Sequence, residues 1–356
     1  MAIGSNNKKQ LMKQILLTVL CAGAIISCTK DKVVDSVKEV ITFDSAFVDN
    51  ATRAAYDGSY DTSNLKAFEV YATITNSESQ TANIFKQELV EKYIADDQSV
   101  SWNYSAANTQ YWVPNNTYIF HAIADGNVSG ATEIIANESD KYLASGVNLL
   151  DASKQKDILV AEKTVNYVSG SHTVNFTFSH IMSKVKFTIK NTITTDSGYS
   201  YKVSNIAIEG IAKNGVYTFG SGWAPAVTPE TYTLMFGNAV AEGTMEGVVE
   251  PADIGFNGSV ESNYDRLLIP TSGELFNITF KYQLLKDGVV IDTQDKTIET
   301  GGLTLQPGHA YNFIVNLGNP GDVIKFDVVA VKDWNTDHNG DGVSGDEDNL
   351  PNMDNQ

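Results

Sequence analysis

The 356 residues carry 43 acidic against 25 basic side chains, a formal charge of −18, and only two cysteines, Cys21 and Cys28. So acidic a balance argues against nucleic acid and anionic lipid surfaces as partners. Two cysteines this close to the N-terminus also exclude a disulfide-scaffolded fold.

The chain opens on a secretory signal: Lys8, Lys9 and Lys13 precede an apolar run from Ile15 to Ile26, and Cys28 follows. The run is short for a membrane-spanning helix. Ile25-Ile26-Ser27-Cys28 resembles a bacterial lipobox, in which the Cys is acylated and becomes the new N-terminus. Cys21 is the poorer acceptor because the bulky Leu20 precedes it, and Met12 is an alternative start. Removing residues 1–27 takes away three Lys and no acid, which moves the formal charge from −18 to −21. With Cys28 acylated, no thiol chemistry and no disulfide remain.

From residue 60 to 334 the chain is written almost throughout in period two. In "NITFKYQLL", Ile278, Phe280, Tyr282 and Leu284 fall on one face and Asn277, Thr279, Lys281 and Gln283 on the other. "KVKFTIKN" repeats the pattern with Val185, Phe187 and Ile189, and "AYNFIVNLG" with Tyr311, Phe313, Val315 and Leu317. The alternation predicts half-buried antiparallel strands. Helical spacing occurs in "FKQELVEKYI", residues 85–94, and in "LLDASKQKDIL", residues 149–159. With Gly, Asn, Asp and Ser clusters between the strands, the predicted class is an all-β sandwich.

A mature chain starting at Cys28 is too long for one compact core and suits two domains. "PNNTYIF", Pro114 to Phe120, and "PGHAYNF", Pro307 to Phe313, share P-x-x-x-Y-x-F, each opening an alternating strand, as two copies of one design would. The cut falls near "YVSGSH", residues 167–172. The expected organisation is a signal peptide 1–27, an anchored first segment 28–53, sandwiches 54–168 and 169–334, and an acidic tail 335–356.

The tail, "WNTDHNGDGVSGDEDNLP", holds two motifs at once. Gly340, Gly342 and Gly345 spell G-x-G-x-x-G, but no strand runs into a helix there and the acids would repel a pyrophosphate. Asp337, Asn339, Asp341 and Asp348 occupy positions 1, 3, 5 and 12 of an EF-hand-type loop, with Gly342 at the turn and Val343 as the carbonyl donor. Position 12 is Asp rather than Glu and the flanking helices are missing. A candidate Ca²⁺ loop and a solvated acidic tail both remain open. No other cofactor is indicated.

There is no G-x-S-x-G, no H-E-x-x-H and no phosphate loop in a strand-to-helix context, so the chain is read as no enzyme. His121, His172, His180, His309 and His338 are scattered, and His180, in an apolar strand, reads as a hydrogen-bonded core residue. Trp102, Tyr104, Tyr111 and Trp112 fit a sugar-stacking platform or, as the stronger reading for aromatic strands, a core.

Several stretches in this order resemble the fimbrillin family, the pilus subunits of Bacteroidales. They are the lipobox at Cys28, "ATRA" at 51–54, "FEVYATI" from Phe68, "WNYSAANTQYWVPNNTYIFHAIA" from Trp102 and "DILVA" at 157–161. "VNFTFSHIMSKVKFTI" follows from Val174, then "LLIPT" at 267–271, "QPGHAYNFIVNL" from Gln306 and "IKFDVVAVKDW" ending at Trp334. The resemblance implies two tandem transthyretin-like β-sandwiches and export as a lipoprotein to the outer membrane and cell surface. It further implies cleavage after an Arg just past the first strand, and polymerisation with other subunits by donor-strand exchange. Carried onto this chain, "VKEVITFDSAFV", residues 37–48, is the occupying strand. Arg53, followed by Ala54, is the cut site, being the only Arg or Lys between Lys38 and Lys66. The polar stretch after Trp334 makes a poor groove-filling strand, which favours a tip or accessory position. The alternative is a monomeric surface lipoprotein that binds a glycan or another ligand.

Overall fold

Alternating apolar side chains bury one face of a strand only when a second sheet covers it. The computed structural model describes residues 38–48, 65–124, 133–137, 141–145, 157–234, 251–262, 266–331 and 347–349. In chain order the first strands are β1 (Thr42–Val48), β2 (Ala67–Thr75), β3 (Thr81–Ile94), β4 (Val100–Asn103) and β5 (Asn116–Ala124). A hairpin, β6 (Glu133–Asn137) and β7 (Lys141–Ser145), precedes β8 (Leu159–Tyr167) and β9 (Thr173–His180). These strands, the β6–β7 hairpin excepted, close a barrel in the order β1-β4-β3-β2-β5-β8-β9, with β1 beside β9.

The second half comprises β10 (Ser183–Asn191), β11 (Tyr199–Thr218), β12 (Gly222–Leu234), β13 (Ala252–Ile254), β14 (Ser259–Glu261) and β15 (Arg266–Leu268). It continues with β16 (Asn277–Lys286), β17 (Val289–Glu299), β18 (Ala310–Leu317), β19 (Lys325–Val331) and β20 (Glu347–Asn349). One sheet runs β14-β10-β18-β19-β20, with β15 also on β10. The other runs β17-β16-β11-β7-β6, with β12 and β13 also on β11, so the β6–β7 hairpin joins the second half. Among the described residues the one helical element is a 3-10 turn, Ala106–Asn108.

Three sequence expectations change. "FKQELVEKYI" lies in β3 and is not a helix. Gln87 has φ +57° and marks an extra residue, so Val70 faces Glu88 while Ala72 faces Phe85. That β-bulge moves the buried set to Phe85, Glu88 and Val90, a spacing that imitates a helical turn. The strands are also not all antiparallel or half-buried. β10 runs parallel to β18 from Lys184↔Ala310 to Asn191↔Leu317, and both strands are buried almost end to end, as parallel strands covered on both faces are. Third, pairing ties β9 to β8 and β1, so the break in strand order falls between His180 and Ser183 rather than after residue 168. Of "LLDASKQKDIL", residues 149–156 lie outside the described residues, and Leu159 starts β8.

Both P-x-x-x-Y-x-F stretches build the same corner. The Tyr118 hydroxyl accepts the Val113 N–H at 2.6 Å, and the Tyr311 hydroxyl accepts the Gln306 N–H at 2.6 Å. Their sheet positions differ, since β5 lies between β2 and β8 while β18 lies between β10 and β19. The parallel pairs are β1 with β9 in the first half and β10 with β18 in the second.

Two apolar cores result. The first gathers Phe43, Phe68, Phe85, Trp102, Trp112, Tyr118, Phe120, Phe176 and Phe178. The second is centred on Phe187, Ile189, Val203, Ile278, Phe313 and Val315, and it takes in Tyr71, Ile123, Ile158 and Val160 from β2, β5 and the β8 region. The connection between β9 and β10 is pinned on several sides: Ile181 N–H donates to Ile158 O, Gly308 N–H to Met182 O, and the Trp223 indole to Ile181 O. The His180 ring bonds the buried Asp157 carboxylate. Phe219, at the β11–β12 turn, stacks on His121 of β5 at 4.3 Å. The two halves therefore share packed surface instead of hanging on a linker.

Candidate functional site

The first strand is held as a filler between two edges. On one side β1 runs parallel to β9, with Thr42 facing Thr173 and Phe43 facing Val174. On the other side Phe43 faces Trp102 of β4, antiparallel. Just ahead of β1, Ile41 N–H donates to Gln110 O at 2.9 Å and Trp112 N–H to Glu39 O at 2.8 Å. Without β1 the β4 and β9 edges would present unpaired N–H and C=O groups to water.

The side chains explain why the seat is specific. Phe43 is 4% exposed. Its ring stacks on Phe176 at 5.8 Å and meets Phe68, Phe85, Tyr104 and Phe120 at 6.2, 5.8, 5.7 and 6.3 Å. Ile41 and Ala46 are buried beside it. Burying a phenylalanine contributes about 1.5–3 kcal/mol, with about 0.5–1.5 more for each well-oriented aromatic pair. The Tyr104 hydroxyl donates to Ile41 O at 2.9 Å, and burial pushes its phenol up. The Tyr167 hydroxyl bonds Glu39 at 3.1 Å, and burial, followed by that carboxylate, raises its phenol too. Both phenols stay neutral donors at physiological pH.

The anticipated site residues are distributed as follows. Cys28, Arg53, Ala54, Asp337, Asn339, Asp341 and Val343 lie outside the described residues. Asp348 lies in β20, where it faces Ala330 of β19. Among the described residues no three His, Cys, Asp or Glu side chains converge as a metal site would require. Trp102 and Trp112 are core, each 5% exposed, and only Tyr111, at 43%, reaches solvent substantially, so the four aromatics do not form a stacking platform. The partners of β1 on both edges could not be picked out in advance, because pairing across 60 to 130 residues leaves no local signal.

With β1 closing a barrel between β4 and β9, and two further sheets formed by the later strands, the fold is all-β. The chain belongs to the fimbrillin-like family, whose profile matches residues 52–334. Among solved structures, a fimbrial protein of Bacteroides vulgatus aligns with a TM-score of 0.52 at 14% identity, over 82% of this chain and 98% of that one. Candidate cell adhesion proteins of Parabacteroides distasonis (TM-score 0.47, 11% identity, 82% and 96% covered) and Bacteroides uniformis (0.43, 16%, 85% and 100%) are also similar. No curated protein sequence matches the chain.

Proposed function

We propose that this protein is a structural and adhesive subunit of a cell-surface pilus, lipidated at Cys28, cut after Arg53 and polymerised by exchange of the strand in the β1 groove. The observation that carries the reading is the seat of β1: backbone pairing on two edges and one phenylalanine at the centre of an aromatic cluster. Arg53 stands between that strand and β2, beside the small residues Ala51, Ala54 and Ala55. While the chain is intact, β1 faces its groove at an effective concentration on the order of millimolar. A cut removes that advantage, and β1 becomes a dissociable ligand that a foreign strand of similar affinity displaces by β-augmentation. The position within the pilus favoured by the polar tail is a tip or an accessory one.

The reading is tested in cells. Cys28→Ala should abolish palmitate labelling and membrane association, and Arg53→Ala should leave full-length lipoprotein on the surface without filaments by electron microscopy. Filaments built normally by the Arg53→Ala strain would contradict strand exchange triggered there. Unchanged palmitate labelling in the Cys28→Ala strain would contradict the anchor.

A further inference from the structure

Outside the β1 groove, a cleft of about 460 Å³ opens between the end of β10 and the β13–β14 turn. Lys190, Thr192 and Thr194 line one wall and Phe256, Asn257 and Ser259 the other. The walls are built rather than incidental. Buried Asn191 donates its side-chain amide to Ile254 O and Gly255 O, accepts the Ile193 N–H on its Oδ1, and donates its backbone N–H to Gly258 O at 2.9 Å. Thr194 is held through its N–H and hydroxyl by the Asn319 side chain. The opposite turn is closed by Gly258 N–H on Gly255 O, so tightly that a Cβ at Gly258 would lie 2.9 Å from that oxygen.

Two features of this cleft suit a ligand. Phe256 stands 36% exposed on a rigid turn whose next residue, Asn257, is left-handed at φ +55°. An aromatic held out to solvent in this way offers an apolar face. Second, in a chain with 43 acidic residues the lining holds, among the described residues, no carboxylate and a single charge, Lys190. Lys190 faces Ser259 across the strand pair and forms no ion pair among the described residues. An ammonium at the mouth of a cleft in an acidic protein focuses potential for an anion. Hydroxyl and amide groups around it supply directional hydrogen bonds to neutral oxygens.

We propose that this cleft binds a carboxylated sugar, with its apolar face on Phe256, its carboxylate on Lys190 and its hydroxyls on Thr192, Thr194, Asn257 and Ser259. A sialic acid and a uronic acid share this chemistry. The proposal gives the surface subunit inferred above a ligand but does not depend on strand exchange, since β10, β13 and β14 take no part in the β1 groove.

The test is a titration of the full-length Cys28→Ser chain with 3′-sialyllactose, glucuronic acid, lactose and glucose, followed by calorimetry or NMR. A carboxylated sugar should bind in the millimolar range or tighter and about tenfold more tightly than its neutral counterpart. Whether sialyllactose or glucuronic acid binds better identifies the source. Lys190→Gln should reduce the acidic sugar to the affinity of the neutral one, and Lys190→Arg should restore it. Phe256→Ala should weaken both. Melting curves check that each variant is folded, and Arg53→Ala should bind sugar normally even where it stops assembly. Equal affinity for acidic and neutral sugars, wild-type affinity in Lys190→Gln or Phe256→Ala, or no acidic-sugar binding up to about 10 mM would each overturn the proposal.

Discussion

Single side chains decide how firmly the first strand is seated. Phe43 has five aromatic neighbours and almost no exposure, so Phe43→Ala should lower stability by about 3–5 kcal/mol in denaturant unfolding. A loss below about 1 kcal/mol would mean that β1 is ornamental to the first core. Tyr201 makes a separate prediction. Its hydroxyl donates to Gly318 O at 2.7 Å, and burial, followed by Tyr282 and Asp322, pushes its phenol from 10.0 up to about 12. A raised phenol contributes stability that is whole below its unfolded value near 10 and is lost as pH rises through about 12. Wild type should therefore lose stability across that window. Tyr201→Phe, weaker at neutral pH by the lost hydrogen bond, should lose less there, and parallel alkaline melting curves for the two would refute the assignment. His180 shows how far residue reading reaches: a histidine in an apolar strand implies a buried partner, and Asp157 is that partner, 23 positions away. Its identity had no local sign.

At the scale of the element, alternation was legible wherever a strand has one buried face. Ile278, Phe280 and Leu284 are buried on β16 as period two requires. It misled in β3 because a bulge adds a residue and converts period two into an apparent helical turn. The bulge can be tested at Gln87, which holds φ +57°. Gln87→Gly should be neutral or slightly stabilising, whereas Gln87→Val should cost about 1–2 kcal/mol, since β-branched residues resist the left-handed region. Equal melting of the two variants would remove the bulge from the account. Strand direction was not legible at all. "KVKFTIKN" alternates apolar and polar residues, yet Lys184, Lys186 and Thr188 are buried too, with Lys186 reaching Glu261 at 3.5 Å. A lysine stem can lie along a covered face while its head finds a carboxylate, so charge in a sequence does not guarantee a solvent face.

For the whole molecule, the sequence carries the class and the family but not the joint between the halves. The joint uses Phe219 on His121, the Trp223 indole on Ile181 and the short passage from His180 to Ser183, which come from three distant stretches. The cut near residue 168 follows a Gly-rich turn, whereas pairing carries the first barrel on through β9. The proposed cleavage and lipidation residues rest on sequence alone, because proteases and acyltransferases act on short extended motifs. The groove that gives Arg53 its meaning exists only in three dimensions.

The most direct measurement locks the first strand in place. Thr42 and Thr173 are paired across β1 and β9, with their hydroxyls 3.4 Å apart. In a Cys28→Ser chain, Thr42→Cys with Thr173→Cys should form a disulfide that leaves Arg53 open to an Arg-specific protease but holds β1 in its groove. After cleavage the oxidised protein should remain monomeric by light scattering, and reduction of the same sample should release β1 and let polymers grow. Polymers forming equally in the oxidised sample, or none forming after cleavage and reduction, would contradict assembly through the β1 groove.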